Sequence, residues 1–79
     1  MIVTFNDIIE INHIFNEAGL QFKLHLHDAC GSQSFTVEPL SDFAFDGHYE
    51  DMKKVLINYF IEKGITIQFL KNGLEFVID

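Results

Sequence analysis

Arginine is missing from this 79-residue chain, cysteine and proline occur once each, and no apolar run approaches the length of a bilayer span. Each absence excludes something. Five lysines face twelve acidic residues, for a formal net charge of −7. Without guanidinium forks, an acidic chain is poorly matched to phosphate backbones or anionic membrane surfaces, so neither nucleic acid nor membrane is expected as a partner. A lone cysteine, Cys30, makes no internal disulfide. The N-terminus also lacks the basic, then apolar, then small-residue order of a signal peptide, so the expected location is the cytoplasm. Phosphate-cradling glycine runs, His-Glu-x-x-His and a nucleophile elbow are missing too.

What the chain has is apolar content. Hydrophobic residues make up 48 %, nine of them Phe. That suits one small domain over residues 1–79, whose core draws much of its area from aromatic rings. A first helix is read from Asp7 to Ala18, with an apolar stripe of Ile8, Ile11, Phe15 and Ala18 and with Ile14 alongside. Thr4 caps it with Asp7 at the third position, or Asp7 caps it with Glu10, and Gly19 stops it. A strand from Leu20 to His27 alternates Phe22, Leu24 and Leu26 with Gln21, Lys23, His25 and His27. A second strand turns Phe35 and Val37 inward and ends at Pro39, which has no ladder donor. The two strands form a hairpin across the turn that holds Cys30.

Ser41 to Gly47 is a loop in which Phe43 and Phe45 are expected to plug the end of the core. Asp46 or Gly47 opens a second helix that runs to Lys63, burying Met52, Val55, Leu56, Tyr59 and Phe60 before Gly64 stops it. Asn72-Gly73 then sits between Ile65, Ile67, Phe69 and Phe76, Ile78. A type I′ turn there pairs Lys71 with Leu74, Phe69 with Phe76 and Ile67 with Ile78. Leu70 and Val77 fall on the wet face of that hairpin. Either these two residues or the open edge of the last strand suggest a weak or moderate homodimer. The echo of residues 17–22 in residues 62–67 fits either duplication or common helix–cap–strand grammar. The fold class is α+β, in the order αββαββ: a mainly antiparallel four-stranded sheet with both helices on one face and strand order left open.

Chemistry has one place to gather. His25, His27, Asp28 and Cys30 fall within six residues, and His25 and His27 project from the same strand face. Asp28 can bond the Cys30 amide in an Asx turn while Gly31 permits a bent backbone. One reading holds Cys30 at the hairpin tip, and another makes it a small apolar plug with surface histidines around it. In a catalytic reading Cys30 is the nucleophile. Amides of Gly31, Ser32 and Gln33 favour its thiolate, His27 assists, and Asp28 opposes. With no second cysteine, persulfide carriage, peroxide sensing or mixed-disulfide chemistry are the reactions left. In a metal reading His25, His27 and Cys30 bind Zn²⁺, Cu or Ni, with water, Asp28, His13 or a partner residue in fourth place. Glu38 faces His25 or His27 across the hairpin as part of a polar patch. The residues leave open whether the chain is an enzyme or a non-catalytic binding module, and they name no cofactor.

The stretch His27-Asp28-Ala29-Cys30-Gly31-Ser32-Gln33-Ser34-Phe35 resembles the core of the RDAC family of short, single-domain bacterial proteins. The family motif is Arg-Asp-Ala-Cys followed by a Gly-rich turn and Gln-Ser-Phe. Asp28, Ala29, Cys30, Gly31, Gln33, Ser34 and Phe35 match it, while His27 stands in the place of Arg and Ser32 in that of a second Gly. The resemblance implies a chain of this length and bacterial origin, but no reaction. Replacing Arg by His27 puts a titratable group where the family has a permanent cation.

Overall fold

The computed structural model describes residues 3–29, 32–44 and 47–78. Its elements run α1 (Phe5–Glu17), β1 (Phe22–Ala29), β2 (Ser32–Pro39), α2 (Tyr49–Glu62), β3 (Ile67–Phe69) and β4 (Glu75–Ile78). This is the expected α+β order, with both helices packed on a four-stranded sheet. The strand order is β1-β2-β4-β3 and every neighbouring pair is antiparallel. β4 therefore has a neighbour on each side, and the dimer route through a free edge of the last strand is removed. The free edges belong to β1 and β3.

Local chemistry explains the helix ends. Of the two caps considered for α1, Thr4 is the one used: its hydroxyl accepts from the Asp7 amide, and the Asp7 carboxylate accepts from the Thr4 amide. Both helices stop the same way. Leu20 N–H reaches Phe15 O and Gly19 N–H reaches Asn16 O; Ile65 N–H reaches Phe60 O and Gly64 N–H reaches Ile61 O. These are two Schellman motifs, each with Gly at positive φ, and each feeds a buried Leu20 or Ile65 back under its helix. The echo between residues 17–22 and 62–67 includes this shared capping geometry. α2 starts at Tyr49, slightly later than expected, after His48, which makes no side-chain cap bond.

Alternation gives the core. Leu26, Phe35, Phe76 and Phe69 pair in one row across all four strands. Phe35 stacks on Phe76 at 4.7 Å and 10°, and Phe60 of α2 closes over both at 5.9 Å. Ile8, Ile11 and Phe15 of α1 and Met52, Leu56 and Phe60 of α2 are buried against this floor. Ile14, expected beside that stripe, sits at the rim and lines a shallow groove with Val55, Asn58, Tyr59 and Glu62.

Two expectations about loops need correction. Phe43 is 71 % exposed, and the small Ala44 beside it is buried instead; Phe45 lies outside the described residues. Among the described residues of the loop, Ala44 is the one turned into the core. In the β3–β4 hairpin the pairing of Ile67 with Ile78 and Phe69 with Phe76 is as expected. The turn is not type I′. Its bond runs from Gly73 N–H to Leu70 O, one residue earlier, so Lys71 and Asn72 are central. Asn72 Oδ1 accepts from the Leu74 and Glu75 amides, and the Tyr49 hydroxyl donates to Gly73 O at 2.8 Å. Those side-chain bonds stabilise the longer loop.

Candidate functional site

The hairpin β1–β2 holds its register to the end: His25 pairs with Thr36, His27 with Ser34, Asp28 with Gln33 and Ala29 with Ser32. Cys30 and Gly31, which connect Ala29 to Ser32, lie outside the described residues. The side-chain alternation of β1 then sorts the flanking groups by face. His25 and His27 share the outer face with Lys23, Thr36 and Glu38. Asp28 shares the helix-side face with Leu24 and Leu26. The structure thus brings the two histidines together and separates His27 from Asp28.

Each histidine is engaged across the hairpin on the diagonal. His25 Nε2–H donates to Glu38 Oε1 at 2.8 Å, the contact foreseen for Glu38, and His27 Nε2 bonds Thr36 Oγ1 at 3.0 Å. Thr36 sits opposite His25, so the His27 ring leans one pair away from the Cys30 end of the hairpin. Among the described residues no three His, Cys, Asp or Glu side chains are placed to share a metal ion. His13 is bonded to Glu17 on the exposed side of α1, at 3.1 Å, away from both histidines of β1.

On the helix side, residues of the RDAC-like stretch brace the hairpin end. The Gln33 carboxamide accepts from Val3 N–H at 3.0 Å and donates to Val3 O at 2.9 Å and to Asp28 Oδ2 at 3.3 Å. It pins the segment before α1 to the strands flanking Cys30. Phe35 lies at the centre of the core, fully buried. In the sequence Gln33 stands out as a backbone amide of an anion nest and as one position of the RDAC-like motif. Its side-chain role was not legible, because a polar residue facing the helix layer looks unfavourable until its backbone partner is known.

A second polar centre, also unforeseen, joins the helices. Asp7 Oδ1 accepts from the Tyr59 hydroxyl at 3.0 Å and lies 3.4 Å from Lys63 Nζ. The Thr4 amide donating to Asp7 holds its carboxyl below the usual carboxylate range; burial opposes this, and Tyr59, the Thr4 hydroxyl and Lys63 reinforce it. Burial, then the bond to Asp7, raises Tyr59 above the ordinary phenol value. The α1 cap foreseen in sequence is therefore also the tie between α1 and α2. The capping signature reveals only the local half, since Tyr59 is 52 residues away.

The outer face of the sheet is the other feature of note. Its long row runs His27–Ser34–Val77–Gln68 across four strands, with His25–Thr36–Glu75 beside it and Lys23–Glu38 beyond. Val77 is half-buried within the polar rows, and Leu70 is 42 % exposed at the margin. No helix of the described residues is long and apolar enough to cross a membrane. Compared with family models, curated proteins and solved structures, the chain matches none.

Proposed function

We propose that the protein is a non-catalytic interaction module that meets a partner protein through the outer face of its sheet, and that it is kin to the RDAC proteins. One observation carries this reading over a thiol-based reaction. Both histidine Nε2 atoms are committed to Glu38 and Thr36, and Asp28 faces the opposite side. These cross-strand bonds favour a structural part for the two histidines. The face itself offers hydrogen-bonding rows around Val77, a pattern suited to a weak, mostly polar contact. A second copy of this chain, touching through Leu70 and Val77, is one such partner.

A thiol-bearing protein with a reactive Cys30 is the second reading. The Gln33–Asp28–Val3 brace favours it, since it steadies the strands on either side of Cys30. Cys30 alkylation followed against pH separates the two, with and without stoichiometric Zn²⁺ and with His27→Ala in parallel. The module reading expects a midpoint near the free thiol value of about 8.5, unmoved by His27→Ala. A midpoint below about 7 that rises on loss of His27 overturns it in favour of thiol chemistry. Protection by Zn²⁺ would assign His25, His27 and Cys30 to a metal site within the module.

A further inference from the structure

β1 is an eight-residue edge strand, and its free side is not bare. The Asn12 carboxamide of α1 accepts from Leu24 N–H at 2.7 Å and donates to Leu24 O at 3.2 Å. Neighbouring antiparallel strands exchange that same pair of bonds between two facing residues. Asn12 thus occupies the place of a residue in a fifth strand. By the alternation of the ladder, Leu26 presents its backbone to the same edge, two residues along.

Helical spacing sets Phe5 and Ile9 on the Asn12 side of α1, at seven and three residues before it. The start of α1 is tied to the hairpin end through Val3 and Gln33, so this stripe follows the β1 edge toward that end. Phe5 is 72 % and Ile9 66 % exposed, the two most exposed large apolar residues of α1. A strand added to β1 would run beneath them.

We infer that the β1 edge is a pairing surface for a second copy of this chain, held shut by the Asn12 carboxamide. β1 fits its own edge. It alternates Phe22, Leu24 and Leu26 on the helix side with Lys23, His25 and His27 on the other. Antiparallel pairing about a twofold axis normal to the sheet keeps these faces together and brings the two Phe5–Ile9 stripes over the junction. Area identifies the latch as the deciding element. Phe5 and Ile9 offer on the order of 200–300 Å² per copy, against about 800 Å² per partner in a standard interface. Side chains alone cannot hold the pair, so the backbone ladder must contribute, and Asn12 sits in that ladder.

Sedimentation velocity over a concentration series tests this on the full chain, comparing wild type with Asn12→Ala and Asn12→Asp. Asn12→Ala is expected to dimerise at least tenfold more tightly than wild type. Its Leu24 amide should exchange freely with deuterium when dilute and become protected when concentrated. Adding Phe5→Glu and Ile9→Glu to Asn12→Ala is expected to reverse the association. Asn12→Asp, nearly isosteric, keeps the acceptor for Leu24 N–H but sets a charged oxygen against Leu24 O, and should fall between. Equal dimerisation of wild type and both variants overturns the inference, as does a dimer that survives the two Glu substitutions. Unfolding of both Asn12 variants also overturns it, because Asn12 would then hold the fold together rather than guard an edge.

Discussion

Replacing Asp7 with Ala removes three things at once: the return bond of the α1 capping box, the acceptor for the Tyr59 hydroxyl and the partner of Lys63. The Tyr59 bond is the largest, since hydrogen bonds to charged groups contribute about 1.5–3 kcal/mol and Tyr59 is only partly exposed. The capping bond adds roughly 0.5–1 kcal/mol. Lys63 adds little, because its side chain is 40 % exposed and solvent screens the pair. The expected loss is about 2–4 kcal/mol, a large share of the roughly 4–12 kcal/mol available to a domain of this size. Urea denaturation at pH 7 should show a midpoint lower by about 2–4 M, at the slope of roughly 1 kcal/mol/M usual for small chains. A double-mutant cycle with Tyr59→Phe should return a coupling of about 1–2 kcal/mol. The pH dependence has a definite sign. Asp7 titrates lower in the folded chain than in the unfolded one. Its stabilisation is therefore complete above the unfolded value of about 3.9 and is lost as pH falls through the folded value. The stability gap between wild type and Asp7→Asn should accordingly close in acid. A loss below about 0.5 kcal/mol, no coupling to Tyr59, or a gap constant between pH 2 and 6 would refute the reasoning.

Four further substitutions probe the fold. Phe35→Ala, at the centre of the Phe35–Phe60–Phe76 cluster, should cost about 3–5 kcal/mol and leave the chain largely unfolded by circular dichroism at 37 °C. Gly73→Ala should cost more than about 1 kcal/mol in denaturant, because Gly73 has φ of +70° and an added Cβ would overlap the Tyr49 hydroxyl. Tyr49→Phe in the same chain should recover part of that loss, and no recovery would mean that φ strain alone sets the cost. Phe43→Ser should change stability by less than about 0.5 kcal/mol, whereas a larger loss by thermal denaturation would restore Phe43 to the core.

Local sequence determined the elements and much of their pairing. Thr4-x-x-Asp7 starts α1, Gly19 and Gly64 stop the helices, and alternation in β1, β2 and the last hairpin fixes which side chains face the core. These features act over a few residues, through backbone capping and periods of 3.6 and 2, so a reader of the chain sees them directly. Polar Asn12 and Gln33 gave no such signal, because each bonds the backbone of a segment distant in sequence, 12 residues away at Leu24 and 30 at Val3. The order β1-β2-β4-β3, which buries β4 between neighbours and leaves β1 as an edge, was likewise set by how two helices cover one sheet. So was the choice of Ala44 over Phe43 for the end of the core. Such choices compare contacts between elements, and only the assembled tertiary structure brings those surfaces together.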